Sequence, residues 1–126
     1  MENSRYSSNQ NITVAIDCVI FGFDSKKLNL LLFKRRVSPF KGSWSLIGEV
    51  LENNISLNQS ATDILSKLTG LENIYLKQLK TYGALNRDPQ ERVISIVYFS
   101  LIRVDKLSLK MVENYDAKWF AFNELP

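Results

Sequence analysis

The chain has 126 residues, of which 45% are hydrophobic and 23% are charged, and its formal net charge at pH 7 is +3. This length suits one domain with its own core, and the composition excludes a disordered or collagen-like chain. The single cysteine, Cys18, and the absence of histidine exclude an internal disulfide and a zinc site built from these two residue types.

The chain shows neither a targeting segment nor a membrane segment. Residues 1–10 are polar and offer few apolar anchors, so we expect a loose leader followed by one folded domain over residues 11–126. No segment approaches the ~20 consecutive apolar residues of a membrane span. We therefore expect a cytoplasmic protein with no membrane partner. The basic residues are scattered among 13 acidic ones, which gives weak support to nucleic-acid binding by this segment.

The first part of the domain is expected to be rich in β-strands. Ile12 to Phe23 contains many β-branched and aromatic residues, which predicts a long strand. A polar turn at residues 24–27 leads to a second apolar strand, Leu28 to Arg35, and the two strands are expected to form a hairpin. After a loop, Trp44 to Gly48 predicts a short buried strand.

One long helix is predicted from Leu57 to Thr69. Ser56 is a suitable N-cap and Gly70 a suitable C-cap. The apolar positions recur with helical spacing and form one stripe: Leu57, Ala61, Ile64, Leu65 and Leu68.

The second part of the domain is predicted to complete a sheet. Strands are expected at Tyr75 to Tyr82, at Arg92 to Val104 and at Ala117 to Phe122, with a short helical turn within residues 105–115. Residues 123–126 are typical of the first turn of a further helix. The predicted fold class is α/β, of the α+β kind, with a mixed β-sheet sandwich and one long helix.

The order of these elements resembles the Nudix family from Ile12 to the end of the chain. The motifs that carry the resemblance are Trp-Ser-Leu-Ile-Gly at 44–48, Thr-Gly-Leu at 69–71 and Trp-Phe-Ala-Phe-Asn-Glu-Leu-Pro at 119–126. The Nudix signature reads Gly, five residues, Glu, seven residues, then Arg-Glu-apolar-any-Glu-Glu-any-Gly-apolar. It fits this sequence without a gap when anchored on Gly70.

This alignment shows that the Nudix signature is degenerate here. Glu49 replaces the signature Gly, and Asp63 replaces the signature Arg. The four signature Glu are replaced by Ile55, Ile64, Lys67 and Leu68. The positions that pack or cap the helix are kept, namely Leu65, Gly70 and Leu71.

The degenerate positions remove the chemistry that the resemblance implies. Positions 64, 67 and 68 share one helix face, where three glutamates hold Mg²⁺ in a hydrolase. An ammonium repels Mg²⁺, and aliphatic side chains have no donor atoms. We therefore expect no catalytic residue, no metal and no cofactor. The alternative is a Nudix hydrolase of nucleoside-diphosphate-linked substrates with an atypical Mg²⁺ site built on Glu49 or Glu52.

Within the family, the chain is most similar to the Nudix-related bacterial transcriptional regulators of the NrtR and AraR types, and closest to the AraR type. The similarity lies in the segments 16–23, 30–35, 69–73 and 86–95. It implies an effector domain that senses a sugar or an ADP-ribose-like nucleotide and forms a homodimer. DNA would be contacted only through a winged helix-turn-helix region, expected beyond residue 126. A dimerisation module without a ligand is a third reading.

Four side chains near predicted strand ends are candidate ligand-binding residues. Arg35 lies where Nudix proteins hold a substrate phosphate, although a basic strand end is often simply solvated. Trp44 and Tyr82 have the rings to stack on a sugar or base, or to pack in the core. Glu49 precedes the helix and stands at the position of the signature Gly.

A second candidate group lies before and at the start of the long central strand. Arg87, Asp88 and Arg92 offer guanidinium and carboxylate groups to a phosphate or sugar. The competing interpretation is a turn fixed by an Arg–Asp pair and Pro89. Asp17 is the one charged residue inside an apolar strand. Its pattern is compatible with a side chain that points to solvent and with one that hydrogen-bonds a ligand or a dimer partner.

Overall fold

The computed structural model describes residues 12–36, 41–83 and 92–126, and the leader lies outside them. These residues form a six-stranded sheet, two α-helices and two 3₁₀ turns. In chain order they are β1 (Ile12–Phe23), β2 (Leu28–Lys34), β3 (Trp44–Val50), α1 (Leu57–Thr69), β4 (Lys77–Tyr82), β5 (Arg92–Arg103), α2 (Lys106–Met111), a 3₁₀ turn (Val112–Tyr115), β6 (Ala117–Ala121) and a second 3₁₀ turn (Phe122–Glu124). The α+β class and the mixed sheet are confirmed.

The strands lie in the order β4-β5-β1-β3-β2-β6. β1 and β5 are parallel along their whole length, from the Ile12 and Arg92 pair to the Phe23 and Arg103 pair, and the other neighbours are antiparallel. The predicted hairpin of β1 and β2 is confirmed at its turn, where Phe21 pairs with Leu30. Farther from the turn, β3 lies between these two strands, so β1 borders three others.

The core lies between α1 and one face of the sheet. Ile16, Cys18 and Ile20 alternate along β1, are fully buried, and belong to the same cluster as Ala61 and Leu65 of α1. The Cys18 thiol lies 3.8 Å from the carbonyl oxygen of Ala61. Burial, and then the charge of Asp17, raise the pKa of this thiol to about 12, so it stays neutral and inert as a nucleophile.

Both ends of α1 are fixed as the sequence predicts. The Ser56 hydroxyl accepts a hydrogen bond from the Gln59 amide at 3.2 Å, and the Gly70 amide donates to the Ser66 carbonyl at 2.8 Å. Gly70 has φ 77°, the left-handed conformation that glycine adopts at low cost. The Tyr115 ring lies directly against it.

Several predicted boundaries shift. β2 ends at Lys34 rather than Arg35, because the Arg35 amide and carbonyl bond to Ser43 and Gly42 and close a loop instead. β3 runs on to Val50, beyond the predicted end at Gly48. β4 begins at Lys77 rather than Tyr75, whose side chain is 81% exposed. Residues 122–124 form a 3₁₀ turn rather than the start of an α-helix.

No helix in the described segments has the length and apolar character that a membrane crossing requires.

The contact between Gly70 and Tyr115 gives a stability prediction. We expect Gly70→Ala to cost about 1–2 kcal/mol for the left-handed conformation, and about 1 kcal/mol more because the new Cβ would lie 2.5 Å from Cε1 of Tyr115. Gly42→Ala is the matched control, since Gly42 has φ 89° and a Cβ added there would meet nothing within 4 Å. Urea unfolding measures both. Equal losses for the two variants, or an excess that persists in a Tyr115→Ala background, would contradict the contact.

Candidate functional site

A cleft of about 800 Å³ lies beside the last turn of α1, within the usual size range for small-molecule sites. β1, β2, β3, β5, α1 and the first 3₁₀ turn all contribute to it. Its lining residues are Thr13, Ala15, Asp17, Phe33, Lys34, Arg35, Arg36, Gly48, Glu49, Val50, Lys67, Leu68, Val93, Asn114 and Tyr115. Glu49 pairs with Ile16, on the α1 face of the sheet, whereas Asp17 and Val50 belong to the opposite face. The cleft therefore receives side chains from both faces of the sheet.

Two further clefts, of about 740 and 680 Å³, surround the turn between β1 and β2 and the helix α2. Both include Asp24 and Lys106. Neither contains a degenerate signature position or a predicted ligand residue. The cleft beside α1 is thus the candidate site.

The candidate cleft is predominantly cationic. Four cationic side chains line it, against two carboxylates: Lys34, Arg35, Arg36 and Lys67 against Asp17 and Glu49. The Arg36 guanidinium also pairs with Asp116, just outside the cleft. A surplus of positive charge within one concave surface favours an anionic ligand.

Lys67 and Glu49 form an ion pair inside this cleft. The Lys67 ammonium donates to the Glu49 carboxylate, with Nζ 3.1 Å from both Oε1 and Oε2. The two side chains are 68% and 36% exposed, so the pair contributes only about 0–1 kcal/mol to stability. Such a pair positions the ammonium without locking it. Both residues replace signature residues, so an ion pair stands where the signature places a glycine and a metal-binding glutamate.

The residues of this site do not fit a magnesium ion. Ile64, at the first metal-binding position of the helix, is 5% exposed and packed in the core, and Leu68 packs against that core. The second position, between them, holds the Lys67 ammonium. Within residues 12–36, 41–83 and 92–126, no group of three Asp, Glu, Cys or His side chains is placed to hold a metal ion. Mg²⁺ requires several oxygen ligands, and this helix face supplies none.

Asp17 lies over the bare backbone of Gly48, its partner across β1 and β3. A Cβ on Gly48 would lie 2.2 Å from Oδ1 of Asp17 and 2.8 Å from the carbonyl oxygen of Ile16. Glycine is thus required here by space. It leaves a carboxylate on the cleft wall, in a position to accept hydrogen bonds from hydroxyl groups of a ligand.

The structure brings some of the predicted ligand residues together and not others. Arg35 and Glu49 line the cleft. Trp44 does not line it. Its ring packs edge-on against Phe120, with 5.0 Å between the ring centroids. Tyr82, at the end of β4, lies 5.2 Å from the ammonium of Lys80. Arg92 precedes a cleft residue and donates a hydrogen bond to the Gly83 carbonyl at 2.9 Å. Residues 87 and 88, with the predicted Arg87 and Asp88, lie outside the described residues.

Several members of the cleft were not among the predicted ligand residues. Asn114 and Tyr115 reach the cleft from a 3₁₀ turn more than forty residues beyond α1, and no local pattern marks them. Lys67 had a signal, because it stands at a signature position that normally carries the opposite charge. Its pairing with Glu49 depends on how α1 packs against β3, which spacing alone does not specify.

Comparison with known proteins gives a consistent set of relatives. The chain is 28% identical over 113 residues to an ADPR responsive transcriptional repressor, NtrR, of Acinetobacter baylyi, covering 88% of this chain and 45% of that protein. It is 32% identical over 116 residues to an ADP-ribose pyrophosphatase of Methanocaldococcus jannaschii, covering 90% of this chain and 64% of that protein. The chain thus spans about half to two thirds of these relatives. No protein-family model matches it.

Among solved structures, the NUDIX domain of Shewanella oneidensis NrtR in complex with ADP ribose superposes with a TM-score of 0.80. The sequence identity is 26%, over 96% of this chain and 80% of that one. The expected resemblance in sequence and fold to Nudix domains of NrtR-type regulators is confirmed.

The tight approach at Gly48 yields a second prediction. We expect Gly48→Ala to lower the free energy of unfolding by about 1–3 kcal/mol, because the Ile16 carbonyl is backbone and cannot move aside easily. Gly83→Ala is the control, since its nearest atoms lie 3.9 Å away. Replacing Asp17 by Ala in the Gly48→Ala chain should recover part of the loss. Thermal unfolding compares the four proteins, and equal stability of the two glycine variants would refute the close approach.

Proposed function

Because this chain has the Nudix fold and resembles the Nudix domain of NrtR-type regulators, we propose that it is a ligand-sensing domain without hydrolase activity. Its ligand is an ADP-ribose-like nucleotide sugar, held in the cleft beside α1. The observation that carries the proposal is the replacement of the metal-binding helix face by buried Ile64, by Leu68, and by Lys67 in an ion pair. The cleft has a surplus of positive charge, and the helix face beside it supplies no oxygen donors for Mg²⁺.

The lining residues provide for each part of such a ligand. The cations at the end of β2, led by Arg35, suit the diphosphate, because a guanidinium binds phosphate oxygens through two parallel hydrogen bonds. The carboxylate of Asp17 suits sugar hydroxyls. The rings of Phe33 and Tyr115 offer apolar surface to a base or sugar.

Hydrolysis of a pyrophosphate would require groups that this cleft does not offer. In the metal-assisted reaction, the ion binds the attacking water and neutralises the charge of the transition state. Here the nearest carboxylate to the helix face, Glu49, is bound to Lys67 instead. The sequence contains no histidine to serve as a general base. These residues support our proposal of ligand binding without turnover.

A regulatory role agrees with this chemistry. The Acinetobacter baylyi relative is an ADPR responsive transcriptional repressor, and this chain corresponds to less than half of its length. In our proposal the chain is the effector domain of a homodimeric bacterial regulator, and DNA is contacted by another region. Occupancy of the cleft by the nucleotide sugar would then be the signal.

A hydrolase is the second candidate function. It is favoured by the 32% identity to an ADP-ribose pyrophosphatase. In that case Glu49 and Glu52, next to α1, would have to supply the metal ligands. Glu49 would first have to leave Lys67.

The first prediction on function separates binding from turnover. We expect ADP-ribose at 100 times its Kd to stabilise the chain by ~2.7 kcal/mol, measured by thermal unfolding without divalent metal. We expect no AMP and no ribose 5-phosphate by chromatography after incubation with Mg²⁺ or Mn²⁺. Metal-dependent release of these products, lost in the Glu49→Gln and Glu52→Gln variants, would establish the hydrolase. Absence of any shift with ADP-ribose, arabinose and related sugars would leave the dimerisation module.

A second prediction assigns the phosphate contact. We expect Arg35→Gln to weaken ADP-ribose binding about tenfold or more, because a charge-assisted bidentate contact contributes about 1.5–3 kcal/mol. Arg103→Gln is the matched control. Arg103 and the cleft residue Val93 are ten residues apart on β5, roughly 33 Å. Isothermal titration calorimetry measures the two variants. Equal affinities would remove Arg35 from the site.

A further inference from the structure

Lys67 occupies a helix position that carries a metal-binding glutamate in the Nudix signature, and it lies in the same cleft as the cations of β2. We propose that the Lys67 ammonium is a built-in cation that binds the ligand's diphosphate in place of a divalent metal, and that Glu49 is the anion that the diphosphate displaces. This inference rests on the proposed function. In this proposal, Lys67 contacts the ligand and exchanges Glu49 for the diphosphate. Without it, the ion pair would only link α1 to β3.

The geometry allows the exchange. Lys67 projects from the last turn of α1, and Glu49 lies near the end of β3, with Nζ 3.1 Å from each carboxylate oxygen. Each ammonium has three donors, and the two contacts to Glu49 leave the third available. The Lys67 side chain is 68% exposed, so it can turn towards a new partner without any movement of the core.

The charges favour the exchange when a diphosphate enters. A diphosphate carries more negative charge than one carboxylate and brings several acceptor oxygens to the cations of the cleft. Glu49 opposes it twice, because it occupies the ammonium and because it repels the entering anion. A divalent metal, in turn, is repelled by Lys67 and finds no oxygen ligands on Ile64 or Leu68. The affinity for the diphosphate should therefore be independent of divalent metal, and Glu49 should lower it.

The experiment titrates the 126-residue chain with ADP-ribose and with inorganic pyrophosphate by calorimetry, in EDTA and in Mg²⁺. For ADP-ribose we expect the same Kd, within about twofold, in both buffers. We expect Lys67→Gln to raise the Kd about tenfold or more. We expect Glu49→Gln to lower it severalfold at low ionic strength, with a smaller gain as salt increases. A damaged fold cannot tighten binding, so this second variant keeps the test decisive.

Asp63→Asn is the matched control for Glu49→Gln. It also removes one carboxylate, on α1 itself, but Asp63 accepts a hydrogen bond from the Gln59 side chain at 2.7 Å and does not line the cleft. Its Kd should equal that of the parent chain. A requirement for Mg²⁺, or unchanged binding in both the Lys67 and Glu49 variants, overturns this inference while ligand sensing stands. Absence of binding to both ADP-ribose and pyrophosphate overturns the two proposals together.

Discussion

The packing of α1 against the alternate residues of β1 is the contact on which the rest of the structure depends. Cys18 reaches the backbone of Ala61 at 3.8 Å, and the flanking Ile16 and Ile20 are fully buried. Ala61 is fully buried at this contact, so a larger side chain there would have to displace its neighbours. This close approach determines the distance between α1 and the sheet. The last turn of α1 therefore lies next to β3, where Lys67 forms its ion pair with Glu49.

The same packing determines which side chains this helix face can carry. Positions 64 and 68 are one turn apart, and here both contribute to the core rather than to a cluster of charges. Three carboxylates on this face would repel one another unless a cation neutralised them, and the first would be buried. With Ile64 and Leu68 at these positions, this repulsion does not arise. The one remaining polar position, Lys67, is satisfied by a neighbouring carboxylate.

Local signals predicted the elements of this fold better than they predicted the site. The bounds of α1 follow from Ser56 and Gly70, since each end is determined by one residue and its own hydrogen bond. The beginning of β4 depends instead on which residues find partners on β5, and Tyr75 finds none there. The place of Arg35 in the cleft could be predicted, because the family resemblance implies a phosphate near the end of this strand. The place of Tyr115 could not, because it depends on contact with Gly70, forty-five positions earlier in the chain.

The core also determines how readily the chemistry of the cleft can be altered. Exchange of Lys67 for glutamate would restore one signature carboxylate and place it beside Glu49, where two like charges repel without a metal between them. Two monodentate carboxylates do not complete the octahedral coordination of Mg²⁺ unless other oxygens and waters are added. The other metal-binding positions are harder to restore. Ile64 is 5% exposed, so a carboxylate in its place would be buried in the apolar core at a large cost in stability. Position 67 therefore lies between two apolar positions that belong to the core, and in our proposal the cleft binds anions through the protein's own cations.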